Sequence, residues 1–157
     1  MTTKYSLLWF FAFLVISCSQ NNQLTIIKKG QSDYEIVLPQ NAEELTIRAA
    51  SQLQFYLEKI TSTPLEIVNE QNTHSGKKKI FVGKESDEIN SPHSILIKNE
   101  GENIIITGGN SKSALYAVYE FLEIYAGCKW YTPEVEEIPI LETFSLELPI
   151  NYQYKPE

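Results

Sequence analysis

Two stretches of this chain repeat apolar residues at helical spacing, and each offers only one apolar face. In the first, Ala42, Leu45, Ala49, Leu53, Tyr56, Leu57 and Ile60 form a single stripe. In the second, Leu115, Val118, Leu122 and Tyr125 do the same, with Ala114 and Phe121 alongside. A one-faced helix must bury its stripe against a sheet or another helix, which commits the chain to a layered fold. The ends are also marked. Asn41 reads as an N-cap with Glu43 and Glu44 in the first turn, where the helix dipole favours acids. Pro64 stops that helix near Thr61. Gly108-Gly109-Asn110 opens the second helix, Ser111 to Ala126, and Gly127 closes it.

The rest of the pattern is strand-like. Leu24 to Lys28 and Tyr34 to Leu38 are short apolar runs separated by the turn-rich Gly30-Gln31-Ser32-Asp33. Leu65 to Val68 begins another strand, and Lys79 to Gly83 reads as a buried one with glycine at its exit. Ser94 to Lys98 and Asn103 to Thr107 flank Asn99-Glu100-Gly101-Glu102, a hairpin signal. Thr143 to Leu148 is a last, alternating strand. The expected fold is an α/β (α+β) two-layer sandwich, a mixed β-sheet packed by two α-helices. At 157 residues the chain suits one domain with a real core.

The N-terminal segment stands apart from that domain. Lys4 precedes an apolar run, Leu7 to Ile16, which is shorter than the roughly 20 residues of a membrane span and fits a secretory signal. Val15-Ile16-Ser17-Cys18 at its end has the form of a bacterial lipobox, with a plain secretory signal or a short hydrophobic anchor as the alternatives. Residues 1–17 therefore read as a lipoprotein signal peptide, Cys18 as the site of lipid attachment, and residues 18–23 as a polar tether. The expected location is the bacterial cell envelope, with the membrane reached through the lipid.

Processing at Cys18 removes one lysine and no acid, leaving twelve lysines and arginines against twenty acids. Such a surface lacks the positive charge that would neutralise phosphates, so nucleic acid is not an expected partner. Cys128 is left without a disulfide partner, and one thiol with two scattered histidines does not make a zinc site. No cofactor or metal is expected. Thr107 to Ser113 has the strand-turn-helix setting of an anion-binding loop but matches neither phosphate-loop spacing. A capped tight turn explains it. Glu120 and Glu123 lie mainly off the apolar stripe, and Glu134, Glu136 and Glu137 sit in a proline-bounded loop. Neither set carries the signature of a general acid and base. A nucleophilic Cys128 would need a base, and His74 and His93 both lie in polar loops. No catalytic residue is expected.

The run Ala114-Leu115-Tyr116-Ala117-Val118-Tyr119-Glu120-Phe121-Leu122-Glu123, followed by Gly127-Cys128-Lys129-Trp130-Tyr131-Thr132-Pro133 and Ile138-Pro139, has a familiar form. It resembles the N-terminal, non-catalytic domain of bacterial alpha-glucuronidase-like glycoside hydrolases, which is related to the second domain of family 20 beta-hexosaminidases. The first helix, Ala49 to Thr61, and the strand Ile80 to Gly83 extend the resemblance, which covers about Leu24 to Pro156. Ser111-Lys112-Ser113 departs from the arginine and glycine common in that family, which leaves the local turn geometry open.

The resemblance implies an accessory domain, residues 24–150, preceding a (β/α)8 barrel that carries the catalytic carboxylates. It implies that residues 151–157 begin the linker to that barrel, and that the chain alone is inactive. Gly127 then acts as the helix stop and Cys128 as a small buried residue, while Lys129, Trp130 and Tyr131 form a domain interface. Packing of Trp130 inside its own domain is the alternative at that position. At the level of function the alternatives are a stand-alone glycan-binding module, using Tyr116, Tyr119, Trp130 or Tyr131, and a purely structural interaction domain.

Overall fold

The helix stripes find their partners on one face of a six-stranded sheet. The computed structural model describes residues 22–156. In chain order the elements are β1 (Gln23–Lys28), β2 (Tyr34–Leu38), α1 (Glu44–Thr61), β3 (Ile67–Asn69), a 3-10 turn (Glu70–Asn72), β4 (Lys78–Val82), β5 (Ile95–Glu100) and β6 (Asn103–Gly108). Then follow α2 (Ser111–Ile124), β7 (Lys129–Thr132), β8 (Val135–Glu137), β9 (Thr143–Glu147) and β10 (Asn151–Tyr154). The main sheet has the order β10-β5-β6-β4-β2-β3. Strands β3, β2, β4 and β6 run parallel, while β5 and β10 pair antiparallel at one side. This is the mixed sheet under two helices that the stripes require.

Helices α1 and α2 lie side by side and share one core with alternate sheet residues. Ala49, Leu53, Leu57 and Ile60 from α1 meet Ile36, Ile80, Ile104 and Ile106 from the sheet and Val118, Phe121 and Leu122 from α2. Every residue of β2 is buried, as a central parallel strand covered on both faces must be. The opposite sheet face is covered by loops. His74 reaches Glu35 from the loop after β3, and Glu88 reaches Lys98 from the loop after β4.

Strands β1 and β9 form a separate antiparallel ribbon rather than joining the main sheet. The register slips between Thr25 and Ile27, and this bulge lets Ile26 and Ile27 both be buried in spite of strand alternation. Phe144 from β9 meets Phe121 of α2 edge to face at 6.5 Å, which ties the ribbon to the core.

Several boundaries differ from those expected. Helix α1 begins at Glu44, and its N-cap is Glu43 with no side-chain cap bond, so Asn41 does not cap it. Its end at Thr61 agrees with the proline signal, with Ser62 in the left-handed region at φ 57°. In α2 the Asn110 side chain accepts the Ser113 N–H at 2.8 Å, the cap expected there. That helix ends at Ile124, two residues early, and the chain turns through Gly127 at φ 76°. The stretch from Glu134 to Glu137, read as a loop, is half of the hairpin β7–β8. Asn151–Tyr154, read as the start of a linker, is the edge strand β10, paired with β5. Cys18 and its lipobox lie outside the described residues.

Candidate functional site

The segment after α2 folds back on the helices. Gly127 turns the chain, the Cys128 N–H donates to the Leu122 carbonyl at 3.0 Å, and β7 leads Trp130 across α1 and α2. Trp130 is partly buried, with its ring 5.3 Å from Tyr56 and 5.2 Å from Tyr119, edge to face in both cases. Its indole N–H donates to the Tyr56 hydroxyl at 3.1 Å, and that hydroxyl donates to Glu136 Oε2 at 2.9 Å. Lys59 Nζ donates to the other oxygen of Glu136 at 2.5 Å. The hairpin is therefore latched to α1 by one ring and one carboxylate. Lys129 is exposed, and Tyr131 is 61% exposed with its hydroxyl donating to Glu137 at 2.9 Å. Phe55, 5.2 Å from Tyr56, is 47% exposed and continues the aromatic surface along α1.

Cys128 lies beneath this latch and is fully buried. Burial pushes its thiol up to about 11; Glu136 adds to the shift and Lys59 offsets part of it. A nucleophilic cysteine needs the opposite, a thiolate near neutral pH. The side chain acts as a small buried apolar group.

The Gly108-Gly109 turn has a packing explanation. A Cβ on Gly108 would fall 2.4 Å from the Ser113 backbone, and one on Gly109 would fall 1.9 Å from the Ser91 carbonyl oxygen. The glycines are there for neighbouring chain rather than for a ligand. The cleft beside them lies at the exits of β2, β4 and β6 and holds Glu43, Glu70 and Glu85 against Lys84. Ser111 already donates to Glu43 at 2.6 Å. That charge balance opposes anion binding.

One cluster was not legible as such. Glu35 on β2 is fully buried, and the fold brings His74 and Glu66 to it, with donor atoms all within 4.8 Å of one another. The scattered histidines therefore do not keep ligand-type side chains apart. The His74 backbone N–H donates to Glu35 at 3.0 Å, the His74 ring nitrogen Nδ1 lies 2.8 Å from it, and Lys79 Nζ lies at 3.3 Å. Lys77 Nζ is 3.7 Å from Glu66. Two ammonium groups thus sit where a metal ion's charge would act, and the arrangement works as an ion-pair network around one buried carboxylate. Burial would push the Glu35 carboxyl up, but His74 and Lys79 together hold it below the ordinary carboxylate value. A lone acid in an apolar strand, followed 39 positions later by a histidine, was the only sequence signal.

The remaining acids are dispersed. Glu134, Glu136 and Glu137 are each engaged within the hairpin or with α1. Glu120, half-buried, and Glu123, exposed, lie on the side of α2 that faces β10. No helix among the described residues is long and apolar enough to cross a membrane.

No family model and no curated protein matches the chain. Several solved structures are similar. A GH20 exo-β-N-acetylglucosaminidase from Vibrio harveyi aligns at 17% identity over 83% of this chain and 17% of that one, with a TM-score of 0.49. The structure of CpGH84D aligns at 14% identity over 81% of this chain and 21% of that one, TM-score 0.47. A GH138 enzyme targeting pectin rhamnogalacturonan II aligns at 16% identity over 57% of this chain and 13% of that one, TM-score 0.45. The chain thus spans a small part of these glycoside hydrolase chains.

Proposed function

We propose that this chain is a non-catalytic accessory domain of a glycoside hydrolase held at the bacterial cell envelope through a lipid on Cys18. Its partner is a (β/α)8 barrel of the same parent protein, docked against the surface that contains Lys129, Trp130 and Tyr131. The observation that supports this most is the union of motif and surface. The Ala114 to Pro133 run, which carries the family resemblance, places a half-buried tryptophan against Tyr56 and Tyr119, with exposed Phe55 beyond Tyr56 and exposed Tyr131 next along β7. Rings left half out of their own domain form the kind of apolar patch that an isolated monomer normally avoids.

One pair of proteins tests both parts. The processed chain should hydrolyse neither aryl glycosides nor glucuronoxylan fragments. Turnover that survives repurification and disappears on replacing a single glutamate would overturn the accessory reading. Cys18→Ser should move the chain from the membrane to the soluble fraction or block its processing. An unlipidated wild-type N-terminus would remove the anchor from the proposal while leaving the domain role intact.

A further inference from the structure

On the opposite edge of α2 from the hairpin latch, a cleft of about 360 Å³ separates that helix from the edge strand β10. Its helix wall is built by Lys112, Tyr116, Glu120 and Glu123, which share one side of α2 by their spacing of three and four. Its strand wall is Tyr154, and Ile95 lies at its base. The pairing of Tyr154 with Ile95 explains this, since directly opposed residues in an antiparallel ladder point to the same sheet face. His93, just before β5, forms the rim. Tyr116 and Tyr154 are 51% and 49% exposed, so each wall presents a large part of one ring to the solvent. Tyr119, deeper, spends its hydroxyl on Gln52 at 3.0 Å.

We propose that this cleft binds a neutral pyranose sugar, as one unit of an oligosaccharide. The volume lies in the range of small-molecule sites, which combine aromatic walls with a few convergent polar groups. The chemistry of the lining then narrows the ligand. Glu120 and Glu123 oppose an anion. A cation would compete with Lys112, whose ammonium already sits 5.8 Å from the centre of the Tyr116 ring. A purely apolar ligand would strip water from both carboxylates and return no hydrogen bonds. A pyranose meets each demand. Its C–H face lies against a tyrosine ring, and its hydroxyl groups donate to Glu120 and Glu123 and accept from Lys112. Glu120 is also near enough to Tyr152 to help burial raise that phenol's pKa, which places its carboxylate toward β10 rather than away from it.

Tyr119 joins the floor of this cleft to the Trp130 surface, but the walls belong to other residues, and the site does not depend on the barrel. The test uses the processed chain, with xylotetraose, cellotetraose and chitotetraose as probes and myo-inositol as a control for non-specific polyol effects. Amide chemical shifts are followed by NMR through each titration. At least one oligosaccharide should give saturable shifts centred on α2 and β10, with inositol giving none. Tyr116→Ala and Tyr154→Ala, both at half-exposed positions that leave the core intact, should each weaken that binding about tenfold or more. Ile140→Ala, at an exposed position outside the lining, should leave it unchanged. Three results would overturn the proposal: no saturable shift with any of the three, shifts that map away from the cleft, or affinity unchanged in both tyrosine variants. If the sites hold but hydrolysis appears in the isolated chain, the accessory reading fails and this one stands.

Discussion

Two loops of this domain are fastened to it by a carboxylate, and the two fastenings work differently. The loop after β3 is held by Glu35, which is fully buried and receives the His74 backbone N–H, the His74 ring and Lys79. The β7–β8 hairpin is held near Glu136, which stands at the surface and shares Lys59 and the Tyr56 hydroxyl. Both carboxyls are held below the ordinary value, the first against the effect of burial, the second by Lys59 and then Tyr56. The lesson lies in what surrounds the charge. Where water is excluded, leaving one partner behind is costly, and the ions themselves fix the loop. Where water is present, ion pairs contribute little, and the half-buried Trp130 ring is left to hold the hairpin.

The largest effect should therefore come from Glu35. Glu35→Ala leaves Lys79 and the His74 N–H without their acceptor, and should cost about 3 kcal/mol by urea denaturation. The pH dependence has a definite sign. A carboxyl whose folded pKa is lowered stabilises fully above its unfolded value, about 4.3, and loses that contribution as the pH falls through the folded value. The advantage of the wild type over Glu35→Gln should thus be constant near neutrality and shrink in acid below about pH 4. An advantage that grows in acid, or a variant as stable as the wild type at pH 7, would show that the buried network does not hold this face.

The same contrast explains what could be read from the sequence. Both helices were legible because their stripes persist over about three turns or more, and the β5–β6 hairpin because Asn99 to Glu102 holds the turn chemistry it needs. Glu35 was not. Within Tyr-Glu-Ile-Val-Leu a single acid reads as one outward-facing position of an alternating strand, and only the loop bearing His74 makes that position an interior one. The hairpin β7–β8 was missed because its seven residues are, apart from Trp130, all exposed, so no alternation marks them. Trp130 was singled out from its motif, but its seat between Tyr56 and Tyr119 joins residues 74 and 11 positions away, a proximity that only the packing of α1 on α2 creates.

The next effect in size belongs to that ring. Trp130 is only partly buried, so Trp130→Ala should cost about 2 kcal/mol, less than the ~3–5 kcal/mol of a core tryptophan. In a chain that starts at Gln20 it is the single tryptophan, so its fluorescence reports the site directly. Emission should be partly quenched by acrylamide. A fully blue-shifted, quencher-resistant signal would mean that no face of the ring is left for a partner domain. Loss of the ring should also loosen the cover over Cys128. A thiol reagent at pH 8, slow against a buried thiol pushed up to about 11, should label Trp130→Ala markedly faster than the wild type. Equal labelling rates would show that the hairpin stays closed without it.

The smallest effect should come from Glu136, although its hydrogen bonds are as short as those of Glu35. Lys59 is 42% and Glu136 30% exposed at the side chain, so water replaces either partner at little cost. Glu136→Gln keeps an oxygen that can accept from Tyr56 and removes the charge and the second acceptor that Lys59 uses. Its melting temperature should stay within about 2 °C of the wild type, and the difference should vanish in 0.5 M salt, where charges at a surface are screened within a few ångströms. Combining it with Trp130→Ala decides which group fastens the hairpin. If the ring does, the double variant should melt where Trp130→Ala does. A Glu136→Gln loss as large as that of Trp130→Ala, insensitive to salt, would instead assign the hairpin's fastening to the carboxylate. The distinction drawn between the two loops would then have to rest on something other than exposure.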